Sequence, residues 1–135
     1  MSDDTPIETT EAIEVAALRE GLRAFLRDSE LIAQASGLTP RRYLLLLLIK
    51  GAPDGSERAT VTQLAQRLRL AQTTVTDLVS RAEKAGLVER ERSERDARVA
   101  HVRLTAEGER RLARSFRALA NERDQLRAML HQLTR

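Results

Sequence analysis

Between Gln72 and Arg81 the sequence Gln-Thr-Thr-Val-Thr-Asp-Leu-Val-Ser-Arg strings hydroxyls, an amide, a carboxylate and a guanidinium along what reads as a helix. Val75, Leu78, Val79 and Ala82 fall at the spacing of a buried stripe, which leaves Gln72, Thr73, Thr76, Asp77, Ser80 and Arg81 facing out. Short polar side chains at the exposed start of a helix are what close approach to base edges and phosphates requires. Further along, Arg92 and Arg98 flank the polar loop Ser93-Glu-Arg-Asp-Ala97, which itself carries Arg95. A hairpin tipped with arginine fits a minor groove.

Other chemistry is poorly supplied. No Ser/His/Asp set, phosphate-binding glycine loop or paired carboxylates stand at a useful spacing, so no enzyme is expected. The chain has no cysteine, which excludes disulfides and thiolate metal sites. Its two histidines, His101 and His131, are far apart in sequence, and neither a metal site nor a cofactor is implied. His101 lies among charged residues and is expected to face solvent.

These side chains need elements to hold them. Thr60-Val-Thr-Gln63 fits a capping box opening a short helix with Leu64, Ala65 and Leu68 inside. Arg69-Leu70-Ala71 makes the turn into the Gln72–Ala85 helix, and Gly86 ends that helix in the left-handed conformation. Leu87–Arg92 and Arg98–Leu104 read as two strands, Ala100, Val102 and Leu104 alternating with Val99, His101 and Arg103. Upstream, Thr39 caps and Pro40 starts a helix that is apolar on every face from Leu44 to Ile49, the mark of a central core element. The Gly51–Arg58 segment is a loop by its glycine and proline content.

Two apolar stripes flank this unit. In the helix expected from Glu8 to Ala35, Val15, Leu18, Leu22, Phe25, Leu26, Ser29 and Ile32 recur at three and four, with Gly21 a cost that a partner helix would offset. After a cap at Thr105, Leu112, Phe116, Leu119, Arg123, Leu126, Leu130 and Leu133 step by four and three without a break, a heptad seam that favours dimerisation over packing on the chain's own core. Asn121 offers a place for a kink. The expected fold is mainly α with a small β-hairpin wing: an arm at 1–8 without fixed structure, a dimerisation helix at 9–37, a winged helix-turn-helix at 38–104 and dimerisation helices at 105–135.

Charge agrees with this division. Residues 1–40 carry 3 basic and 8 acidic groups, whereas 60–103 carry 9 and 6, so an acidic arm precedes a basic body. Nucleic acid is the commonest partner for a basic face. The polar N-terminus and the absence of an apolar run near ~20 residues point to a cytoplasmic protein.

Leu64-Ala-Gln-Arg-Leu68, Thr73-Thr-Val-Thr-Asp-Leu-Val79, Glu83-Lys-Ala-Gly-Leu-Val-Glu-Arg90, Arg95-Asp-Ala-Arg98 and Val102-Arg-Leu-Thr-Ala-Glu-Gly108, in that order, resemble the MarR family of bacterial transcription regulators. The resemblance implies a homodimer in which first and last helices interlock and two winged units sit on a pseudo-palindromic operator, most often as a ligand-responsive repressor. It would put Leu18, Leu22, Phe25, Leu112, Phe116, Leu119, Leu126, Leu130 and Leu133 in the dimer. Thr73, Thr74, Thr76, Asp77, Ser80 and Arg81 would enter the major groove beside Gln72. Arg98 would be the minor-groove arginine, steered by a salt bridge to Asp96, with Arg90, Arg92 and Arg95 on phosphates.

Two residues depart from the family pattern. Ala71 stands where a capping serine is common, leaving Thr73 or Thr74 to cap or the helix start frayed. Asp77 would repel phosphate unless it pairs with Arg81 four residues on, which is preferred over accepting from a cytosine amino group. Relatives often bind small aromatic or anionic effectors; here such a pocket would draw on the end of the first helix and on Arg41-Arg42-Tyr43, although plain packing suffices for those residues. The rival reading is a winged helix that binds another protein.

Overall fold

The computed structural model describes residues 3–96 and 98–133, with the side chain of Leu133 outside that set. Six helices and a small sheet follow in the order α1 (Thr9–Ala35), α2 (Pro40–Lys50), β1 (Arg58–Ala59), α3 (Val61–Leu68), α4 (Gln72–Lys84), β2 (Val88–Arg92), β3 (Ala100–Leu104), α5 (Ala106–Ala118) and α6 (Ala120–Leu133). This is the expected winged helix-turn-helix with helices on either side. Residues 3–8 lie outside regular structure and are exposed.

Helix α2 is the hub. Thr39 Oγ1 accepts from the Arg42 amide at 3.2 Å, Pro40 occupies the first turn, and Leu45, Leu46 and Ile49 are fully buried. Each such burial contributes roughly 2 kcal/mol. Leu64, Val75, Val79, Ala82, Val88, Val102 and Leu112 close around them, so α2 touches α3, α4, α5 and the sheet. The helix is not buried all round: Leu47 and Leu48 are half-buried and Leu44 is 42% exposed.

The capping box is present in both directions: Thr60 Oγ1 accepts from the Gln63 amide at 3.1 Å and Gln63 Oε1 from the Thr60 amide at 2.9 Å. The α3–α4 turn closes through Arg69 at φ 56°, with the Leu70 amide reaching back to the Ala65 carbonyl at 3.2 Å. Gly86, at φ 77°, ends α4 as expected.

The sheet order is β1-β3-β2, all antiparallel, Val88 facing Leu104 and Arg92 facing Ala100. β1 lies at the end of the segment expected as loop; two residues paired to Arg103 and Val102 are too short to carry a pattern. Gly108 lets α5 ride on the wing root, because a Cβ there would lie 2.0 Å from the Leu87 carbonyl oxygen.

The C-terminal seam is interrupted. α5 stops at Leu119, whose amide still bonds Ser115 at 3.1 Å, and α6 restarts at Ala120 with Asn121 inside it, so Asn121 is no cap. Arg123 donates to the Phe116 carbonyl across the break and lies over the Phe116 ring at 3.6 Å. Leu112 and Leu119, at 5% and 3% exposure, are covered by the chain's own core. They are not available to a second protomer, contrary to the continuous seam.

Candidate nucleic-acid interface

Helix α4 offers solvent the residues expected of it. Gln72, Thr73, Thr76, Asp77 and Arg81 are exposed, Thr74 and Ser80 half-buried, and Val75, Val79 and Ala82 buried. Its N-cap, Ala71, makes no side-chain cap bond, and neither Thr73 nor Thr74 substitutes for one. The start is held instead from outside, Gln72 Nε2 donating to Thr62 Oγ1 on α3 at 3.1 Å. No local sequence signal announces that link, since the partners are ten residues apart. Thr76 Oγ1 donates to the Gln72 carbonyl at 2.9 Å, which leaves the hydroxyl able to accept only.

Asp77 and Arg81 pair within the helix at 3.1 Å, as preferred. Both remain largely exposed, so the pair adds little stability and acts chiefly by neutralising an acid that would face phosphate.

The exposed surface of α4 divides into two stripes. Thr73, Thr76 and Ser80 run along one edge, where Arg90 Nη2 of β2 donates to Ser80 Oγ at 3.2 Å while its Nε lies 3.5 Å from Glu83. Thr74, Asp77 and Arg81 run along the other, lining an open groove of about 510 Å³ with Thr39, Pro40, Arg41 and Arg42 at the head of α2. Arg90 is thus tied to the recognition helix as well as being a phosphate candidate.

At the wing tip the Ser93 amide donates to the Val99 carbonyl at 2.9 Å and the Val99 amide to the Asp96 carbonyl at 3.0 Å. Asp96 Oδ1 accepts from both the Arg98 amide at 3.0 Å and Arg98 Nε at 3.1 Å. These hydrogen bonds, side chain first, hold the Asp96 carboxyl below its ordinary range. They leave the Arg98 side chain 91% exposed while fixing its direction. Arg92 and Arg95 are exposed nearby, the Arg95 amide donating to Ser93 Oγ at 3.2 Å; Ala97 lies outside the described residues. Arg103, which faces out as expected, pairs across the sheet with Glu89 at 2.9 Å and Glu91 at 3.5 Å. His101 is half-buried rather than exposed; it stands on the central strand, paired to Glu91 of β2.

Of the proposed dimer residues, Leu18 and Phe25 are half-buried on the flank of α1 that meets the chain's own α6 and α2. Gly21 serves that packing: a Cβ there would strike the Met129 methyl at 2.2 Å. Leu22, Phe116 and Leu130 are 43%, 40% and 50% exposed, and Leu126 is half-buried. Ile13, Val15, Leu26 and Leu31 add further exposed apolar surface to α1.

Between α1, α2 and the α5–α6 break lies an apolar pocket of about 370 Å³, walled by Phe25, Leu26, Ala33, Leu44, Leu47 and Leu119. Tyr43, Arg41, Arg123, Ser29 and Glu30 are its polar lining residues. Burial pushes the Tyr43 hydroxyl up, opposed by the charge and hydrogen bond of Arg123. Arg42, expected beside Tyr43, lines the groove next to α4 instead. Arg123 enters this pocket where the heptad pattern had made it the charged oddity of a seam.

Among the described residues no helix is long and apolar enough to cross a membrane. Residues 36–99 match the MarR family model. The fold is similar to that of AbsC from Streptomyces coelicolor, a MarR family transcriptional regulator, at 23% identity and TM-score 0.70 over 95% of this chain and 83% of that one. It is similar to a MarR family protein from Bacillus stearothermophilus, at 24% identity and TM-score 0.71 over 96% and 100%. Sco3205, a MarR family transcriptional regulator from Streptomyces coelicolor solved in complex with DNA, aligns at 24% identity and TM-score 0.67 over 96% and 80%. No functionally curated protein matches the chain in sequence.

Proposed function

We propose, from the match of residues 36–99 to the MarR family model, that the protein is a MarR-type sequence-specific transcription regulator that binds a pseudo-palindromic operator as a homodimer. The observation that carries the reading is the wing. Asp96 spends its carboxylate aiming an otherwise exposed arginine off a hairpin tip, beside a helix whose exposed start bears short polar side chains. An exposed guanidinium held in one direction by its carboxylate partner suits a minor groove, and the threonines suit base edges. The relative solved with DNA supports the same use of the fold.

Arg98→Ala tests it. Loss of one charge-assisted contact of about 1.5–3 kcal/mol in each half-site predicts operator binding weaker by roughly a hundredfold or more in a gel shift, with the oligomer's mass unchanged. Unaltered affinity would remove the wing from the interface. Affinity that ignores salt would favour a protein partner instead.

The regulator acts as a repressor released by a small aromatic or anionic effector in the pocket of Tyr43 and Arg123. What favours an effector is the combination of apolar walls with two guanidinium groups, Arg41 and Arg123, against the single carboxylate of Glu30, and the half-buried phenol of Tyr43. Tyr43 is the sole tyrosine and the chain has no tryptophan, so its fluorescence reports occupancy directly. Benzoate, as a probe, should change that emission saturably and weaken operator binding over the same concentrations. No saturable change with benzoate or a larger aryl carboxylate would leave the pocket as packing only.

A further inference from the structure

We propose that Arg41 and Arg42 bind phosphates of the DNA strand that lies across the major groove from the wing, an inference resting on the duplex-binding reading above. A helix with its side chains is about 10–12 Å across and the major groove is about 12 Å wide, so a helix lying in it has one phosphate strand along each edge. The wing side of α4 is served by Arg90, hydrogen-bonded to Ser80. On the opposite edge Thr74, Asp77 and Arg81 share an open groove with Thr39, Pro40, Arg41 and Arg42.

The charges of that groove are unevenly committed. Arg81, Arg90, Arg98 and Arg103 each have a carboxylate partner. Arg41 and Arg42 have none within 4.0 Å among the described residues. Asp77, the groove's acid, is taken by Arg81, so its lining carries three guanidinium groups against one carboxylate. Both arginines spring from the first turn of a helix that is fixed by the Thr39 cap and buried deeply in the core. Rigid stems lower the entropic cost of each contact. Such contacts set register and orientation on the duplex without reading bases.

The test is fluorescence anisotropy of the full chain on its operator duplex and on a random duplex, each across a KCl series. Arg41→Ala/Arg42→Ala is compared with wild type and with Arg114→Ala/Arg117→Ala, an equal loss of charge on α5, mass and helicity being checked in parallel. The double variant should lower the slope of log affinity against log salt by about 0.9 for each phosphate contact removed, and weaken operator and random duplex by the same factor. The α5 variant should track wild type. An unchanged slope, a loss confined to the operator, or an equal effect of the α5 variant overturns the proposal. A wild-type chain whose duplex binding does not respond to salt overturns the regulator reading and this one with it.

Discussion

On the proposed reading, Asp77 is the residue on which recognition by α4 would turn most sharply. An acid one turn into a helix aimed at phosphates is a liability, and its 3.1 Å pair with Arg81 is what makes it tolerable. Asp77→Ala would therefore free Arg81 for phosphate and raise affinity for random duplex severalfold, narrowing the gap between operator and random sequence. Filter binding to both duplexes checks this. If operator binding falls while random binding stays put, Asp77 reads a base itself. Asp96 shows the same economy of paired charge at the wing. Its carboxyl is held below its usual range by Arg98, so as a depressed carboxylate it keeps the pair intact above that range and loses it only as pH falls through the lowered value. The aim of Arg98 is thus insensitive to pH near neutrality.

At the level of elements, what was legible in the sequence was what local chemistry dictates. Thr39-Pro40, Thr60 with Gln63, Gly86 and Thr105 each announce a helix end, and each end is where those residues put it. What was not legible depended on contacts between distant residues. Ala71 predicted a frayed or self-capped α4, but Gln72 is anchored by Thr62. The heptad from Leu112 to Leu133 looked like one interface, but a period of seven cannot say which members the chain's own core will claim, and Leu112 and Leu119 are claimed. The α1 stripe divides likewise, Leu18 and Phe25 turning inward while Leu22 stays 43% exposed. The dimer reading therefore narrows to residues the protomer leaves open. Leu22→Asp with Leu130→Asp should dissociate the dimer while sparing the protomer, since both positions are exposed in it. Central interface residues carry about 2 kcal/mol or more, so the dissociation constant should rise roughly a hundredfold or more. Sedimentation with circular dichroism decides; a folded dimer carrying both changes would place the interface elsewhere.

For the whole molecule, the arrangement joins a reading head to its frame through one helix. α2 packs beneath α4, presents Arg41 and Arg42 beside the recognition helix, and lines with Tyr43 and Leu44 the pocket against α1. Arg41 borders both spaces, so a ligand in the pocket and a phosphate in the groove would compete for one side chain. In the proposed homodimer, two such heads on a duplex would read half-sites about one helical turn, or a multiple of it, apart, with two-fold symmetry mirrored in the sequence. Selection of the purified chain on a pool of random duplexes measures this directly. The account predicts enrichment of an inverted repeat with that spacing, lost in Arg98→Ala; a pool that emerges with no enriched sequence would contradict it.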